Sequence, residues 1–169
     1  MRLALEVVGV PEVVAGLEGG VYRAMMRAYK SMGEEMVELS TYTKSAHLHG
    51  PTGPTTLRQR SGNLARSVTP EAIFEGPVVM GSVGIPKLST AAKYARILHE
   101  GGTTRAHVIE ARNAKMLRFV MDGHVVYRRS VNHPGSKFPA RPYLTAALEE
   151  QAAQIVENIA AAIGGRASE

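Results

Sequence analysis

The chain has 169 residues, 44% of them hydrophobic and 21% charged, with a net charge of +5 and no cysteine. That composition is long and apolar enough for one domain with a real core and argues against global disorder. It excludes a disulfide framework, a thiolate metal site and a cysteine nucleophile, and no apolar run approaches the roughly 18 residues that a bilayer span needs.

The positive charge is unevenly placed. Residues 1–40 carry four Lys/Arg against six Asp/Glu, residues 41–141 fifteen against five, and residues 142–169 one against four. A basic middle between acidic flanks fits a nucleic-acid-facing surface. It fits equally well a head-to-tail match in which the acidic helices of one copy meet the basic middle of the next. With six Tyr, three Phe and no Trp, readout by base stacking is disfavoured.

In chain order, Leu3, Leu5 and Val7 alternate and predict a strand over 2–8. The segment MRLALEVVGVPEVV is too short in its apolar part, and too acidic behind it, to read as a signal peptide. Gly9-Val10-Pro11 breaks the strand, and Pro11 can open a helix. From there to about Thr43 the spacing of Val14, Leu17, Val21, Met25, Ala28, Met32, Met36 and Leu39 is helical, with a kink or break expected at Gly19-Gly20. The cluster Met25, Met26, Met32 and Met36 reads as core filling, with a re-packable partner surface as the sharper alternative.

Residues 44–60 read as a long flexible loop punctuated by Gly50-Pro51 and Gly53-Pro54, ordered only on assembly. His47 and His49 lie in it without a nearby carboxylate and are expected to be solvated. Ser61 is a candidate N-cap for a short element ending at Ser67. Strands are expected over Ser67–Phe74 and Val78–Ile85, where Gly81 and Gly84 permit a bulge or a close approach. A short helix follows over 90–99, with Tyr94, Ile97 and Leu98 turned inward, ending at Gly101-Gly102. His99-Glu100 is not the start of a zinc-protease helix, because Gly-Gly stands where the second His would be.

Strands are then expected over His107–Ile109, Lys115–Met121 and His124–Val131, and Asp122-Gly123 between the last two is a strong hairpin signal. Residues 130–148, SVNHPGSKFPARPYLTAAL, form a stiff joint: Pro134, Gly135 and Pro139 restrict the loop, and Pro142 suits the first position of a helix. That joint is expected to dock the hairpin onto a C-terminal helix running from about Arg141 to Ile163, with Leu144, Leu148, Gln151, Ile155, Ile159 and Ile163 on its inner stripe and a frayed tail at 166–169. The whole reads as one α+β domain over 1–169: an antiparallel sheet with a long N-terminal helix and a C-terminal helix packed on it, plus a long loop.

No phosphate-binding loop, nucleophile elbow or zinc pattern is present, and Asp122 is the sole Asp. No cofactor is implied. His133 with Lys137 and Arg141 could bind an anion, the one place where an enzyme reading finds a foothold; the plainer reading is a loop histidine bonded to backbone.

Three stretches together resemble a known family: LRQRSGNLARSV (57–68), KYARILHEGG (93–102) and the run from Leu117 through HPGSKFPARPYLTAALEE (133–150). They are similar to the minor tail or head–tail joining components of long-tailed phages, grouped with tail-completion (neck) proteins. The matching residues are Ser61-Gly62-Asn63-Leu64-Ala65-Arg66-Ser67, Tyr94-Ala95 with Glu100-Gly101, and Pro139-Ala140-Arg141-Pro142-Tyr143-Leu144. Where the family commonly has Phe-Gly-Thr, this chain has Glu100-Gly101-Gly102-Thr103. The resemblance implies an α+β subunit of the virion, assembled in the host cytoplasm into a six-fold or twelve-fold ring. Its partners would be connector or adaptor proteins and tail-tube or tail-terminator proteins, with no membrane. Candidates to face a neighbouring subunit, or to touch duplex DNA without sequence preference, are Arg58, Arg60, Arg66, Arg128, Arg129, His133, Lys137 and Arg141. The rival reading is a free-standing basic nucleic-acid-binding protein.

Overall fold

A computed structural model describes residues 2–8, 18–75 and 78–164, without the side chains of 2–8 and 18. The expected helix start at Pro11, the turn around Gly76-Pro77 and the tail at 166–169 fall outside the described residues. The architecture is α+β, as the sequence predicts.

The centre of the body is α1 (Glu18–Tyr42). Its stripe is the predicted one: Ala28, Met32, Met36 and Leu39 are buried, Met25 is half-buried and Met26 is exposed. Gly19 and Gly20 are helical rather than a break. Glycine costs about 1 kcal/mol in a helix interior, and packing of the later stripe carries the turn that contains the two of them.

One face of α1 lies on a three-stranded antiparallel sheet of β1 (Arg2–Val8), β2 (Thr69–Glu75) and β3 (Val78–Gly84), in the order β1-β3-β2. Ala72 and Leu5 flank Gly81 in register. A side chain at Gly81 would run into Met32 and would lie 2.8 Å from Met36 Sδ. The glycine anticipated as a close approach is therefore where helix and sheet meet most tightly.

Another side of α1 carries α4 (Tyr143–Ile163), which runs antiparallel to it. Arg27 near the start of α1 donates to the last carbonyls of α4, Ala162 O at 2.9 Å and Ile163 O at 3.0 Å, satisfying orphan acceptors at the negative end of that helix. Midway, Asn158 Nδ2 donates to Glu35 Oε1 at 2.8 Å. Glu35 is buried, and that burial raises its carboxyl above the usual range. Leu144, Ala147, Ile155 and Ile159 fill the inner stripe of α4, Leu148 and Gln151 are half-buried, and Ile163, expected on the stripe, is exposed at the helix end. Pro142 is its N-cap residue, not its first helical one, and its carbonyl accepts from Ala146 N at 2.9 Å.

The short element is α2 (Asn63–Ser67), capped by Gly62 at φ +72° and not by Ser61. A left-handed cap admits glycine readily, whereas a serine N-cap would need extended backbone. Next in the chain, α3 (Ala92–Glu100) buries Ala95 and His99 and its N-cap residue Ala91 is buried too, while Tyr94, Ile97 and Leu98 are half-buried.

The remaining strands are separate from the body sheet. They are β4 (Gly102–Thr103), β5 (His107–Glu110), β6 (Leu117–Met121), β7 (His124–Arg128), β8 (Ser130–His133) and β9 (Lys137–Phe138). The predicted single strand over His124–Val131 is divided at Arg129: β7 pairs with β6, and β8 pairs with β5. The result is a two-stranded ribbon whose hairpin turn is Asp122 (φ +52°) and Gly123 (φ +80°), the left-handed pair that the dipeptide predicts. No residue from 100 to 142 is buried. No described helix is long and apolar enough to cross a membrane.

Candidate assembly interface

Five of the sequence-predicted cations fall into two groups, organised by different elements. The first surrounds a cleft. Helix α1 does not stop at Tyr42: a π-helical turn, Thr43–His47, extends it into the segment expected to be loop. Leu48 and Leu57 are buried, Leu57 N donates to His47 O at 2.7 Å, and Thr56 Oγ1 donates to Pro51 O at 2.7 Å. Between this segment and α3 opens a cleft of about 710 Å³ with Leu57, Leu64, Tyr94, Leu98 and Phe138 in its wall. Arg58, Arg60 and Arg141 also line it, so the cleft pairs an apolar wall with three guanidinium groups. Arg141 is fixed there, its Nε donating to Gly53 O at 3.1 Å. Arg66 is not in the cleft lining. It donates to Ser61 O at 3.1 Å and to Asn63 Oδ1, folding back over its own helix.

The second group rides on the ribbon, where Arg128 and Arg129 are exposed. The stiff joint at the ribbon's base is built from close backbone approaches. Gly101 has φ +75°, and a Cβ there would meet Ala140 N at 2.7 Å; Gly135 has φ +93° and lies against Thr104. Thr104 N donates to Ser136 O and Ser136 N to Thr104 Oγ1, both at 2.9 Å. Arg141 N donates to Leu98 O and His99 O at 3.1 Å. The joint therefore ties the ribbon base to α3 and to the entry of α4.

His133, Lys137 and Arg141 do not form one anion site. Gly135 N donates to His133 Nδ1 at 3.0 Å, and the His133 ring stacks on His107 with centroids 5.1 Å apart. His133 is thus bonded to backbone, as its plainer reading held. Arg141 turns to the cleft, while Lys137 is exposed in β9. Among the described residues no three His, Cys, Asp or Glu side chains gather closely enough to hold a metal ion.

Two buried histidines escaped the sequence reading. His47, expected to be solvated, is 3% exposed. Its Nδ1 lies 3.2 Å from Thr55 O and its Nε2 3.2 Å from Glu150 Oε2, with the Tyr42 ring edge-on at 5.8 Å. Tyr42 Oη donates to the same carboxylate oxygen at 2.6 Å. That hydroxyl first, and His47 after it, hold the Glu150 carboxyl below the usual range. The pair ties the 48–62 segment to α4. The signal was there: Leu39, Thr43 and His47 continue the α1 stripe at intervals of four. His49, by contrast, is exposed as expected.

His99 is 5% exposed, packed edge-on against Tyr143 at 5.1 Å, with Thr145 Oγ1 3.3 Å from its Nε2. Burial lowers its pKa from the ordinary 6.5, against an upward pull from Glu100. Below 6.5 the unfolded chain takes a proton that the folded site refuses. Stability is therefore full above that value and is lost as pH falls from it toward the lowered one. Urea unfolding midpoints measured from pH ~7.5 down to ~5 should fall, and His99→Gln should flatten that slope. An unchanged slope in the variant would remove His99 as its source.

No family description, curated protein or solved structure matches this chain.

Proposed function

We propose that the chain is a structural virion protein of a tailed phage, one subunit of a ring at the head–tail junction or at the top of the tail. The observation that carries this reading is the ribbon, which exposes Val108, Val120, Met121, Val125 and Tyr127 and buries none of its residues in the chain's own body. Isolated two-stranded ribbons are marginal in water, and an exposed apolar stretch of this kind marks a protein contact. The sequence resemblance to tail-completion components supports the same role.

In this reading copies meet by unlike surfaces, so that rotation closes the contacts into a six-fold or twelve-fold ring. Connector or adaptor proteins on one side and tail-tube or terminator proteins on the other are the neighbours. The guanidinium groups of Arg58, Arg60, Arg128 and Arg129 face a neighbour or the phosphates of passing DNA, a contact without sequence information. No catalytic step belongs to this role.

Mass photometry of the full chain at micromolar concentration, alone and with purified neck partners, tests it. Masses of six or twelve 18.2 kDa subunits are expected. Monomer alone under both conditions would sink the ring. Salt-dependent binding of duplex DNA by that monomer would put a free nucleic-acid-binding protein in its place.

A further inference from the structure

We infer that the tip of the ribbon docks into the groove between α1 and the edge strand β2 of a second copy of this chain. The inference rests on the assembly reading above and names its contact.

The ribbon tip is apolar on both faces. The register pairs Val120 with Val125 and Arg118 with Tyr127 on one side of the ladder, and Phe119 with Val126 and Leu117 with Arg128 on the other. Paired residues share a face. A ribbon that lay on its own body would show one apolar and one polar face. Two apolar faces call for a site that encloses the ribbon, and the chain leaves Val120 66% and Tyr127 54% exposed.

The body offers such a site. Among the described residues strand β2 pairs with β3 alone, as the edge strand of its sheet, and Pro70 within it suits an edge position. Between that edge and α1 runs a groove of about 630 Å³ whose wall includes Tyr29, Val37, Pro70 and Ala72. Val37 is 53% exposed there. Grooves of about 300–1,000 Å³ take a few side chains or a drug-sized molecule.

Charge decides the occupant. Glu34, Glu38 and Glu71 line the groove with Lys30 as its one cation; Glu34 and Glu38 are exposed, and Glu34 meets the solvated Lys30 at 3.8 Å. The ribbon brings Arg112, Lys115, Arg118, Arg128 and Arg129 against Glu110 and Asp122. An apolar ribbon with a cationic rim thus matches an apolar groove with an anionic rim on the same chain. The match is between unlike surfaces, which makes the contact head-to-tail. The edge strand β2 adds backbone pairing to it, as in strand addition.

The absence of native cysteine makes the test direct. Full-length Val120→Cys and full-length Val37→Cys are prepared separately, mixed under reducing conditions, then oxidised and resolved by non-reducing electrophoresis and mass spectrometry. The mixed disulfide between the two variants should exceed either homodimer. It should be lost when the Val37→Cys chain also carries Glu34→Arg and Glu38→Arg, which with Lys30 turn the rim cationic, while that chain keeps its circular dichroism and its melting temperature. A disulfide only between two Val120→Cys chains, or none, overturns the inference. Native-chain rings by mass photometry without the mixed disulfide leave the ring standing and remove this contact. The mixed disulfide from a chain that forms no ring, alone or with neck partners, keeps the contact and removes the ring.

Discussion

Tyr143→Ala is expected to destabilise the chain by about 3–5 kcal/mol, the range for emptying a large buried aromatic site. Tyr143 is fully buried at the first turn of α4, between α3 and the rest of the core. Its ring meets His99 edge-on, and its hydroxyl donates to Ala95 O at the long distance of 3.5 Å. Burial pushes that hydroxyl's pKa well up, so the group stays neutral throughout the ordinary range. Total stabilities of about 5–15 kcal/mol are normal, so the variant loses a large share of the whole. Its melting temperature should fall by on the order of 10 °C. Tyr143→Phe separates the two contributions: it keeps the ring and gives up only a weak hydrogen bond, at a cost under about 1 kcal/mol. Urea denaturation of the three chains checks this, and equal midpoints for Tyr143→Ala and the native chain would contradict the packing described.

The second large effect is on assembly. His107 and His133 are register partners at the base of the ribbon, so residues 108–132 can be replaced by the dipeptide Asn-Gly, which closes a two-residue hairpin. None of the removed residues is buried. The shortened chain should therefore keep its helical circular dichroism and melt within about 2 °C of the native chain, a change of at most about 1 kcal/mol for a body of this size. It should form no rings by mass photometry under conditions in which the native chain does. A shortened chain that still closes rings would move the contact elsewhere. One that melts far lower would make the ribbon part of the body.

What could be read from the sequence follows from which interactions are local. The α1 stripe from Ala28 to Leu39, the α4 stripe as far as Ile159 and the Asp122-Gly123 turn each announce themselves through spacing or backbone preference, and all three are where expected. The split at Arg129 is different. HVVYRRSV reads as one strand because nothing in those residues marks the change of partner from β6 to β5; that change is set by residues 111–116, which interrupt the opposing side. Likewise His47 was misplaced because Gly50 and Pro51 dominate a local reading, whereas its burial comes from Glu150, more than a hundred residues away. The candidate cations were found as residue types, and only the fold sorted them: Arg58, Arg60 and Arg141 to the cleft, Arg128 and Arg129 to the ribbon, Arg66 to its own helix.

The pairing of β1 with β3 bears on how the chain is made. Val8 meets Val78, so β1 leaves the ribosome roughly seventy residues, or on the order of 4–14 s, before the strand that completes it. Over that interval α1 can form on its own, since its hydrogen bonds are local, but Met32 and Met36 have no sheet to cover them. Nascent chains stalled before Met80 should accordingly be recognised by holdase chaperones, and those stalled far enough beyond Gly84 for β3 to clear the exit tunnel should escape them.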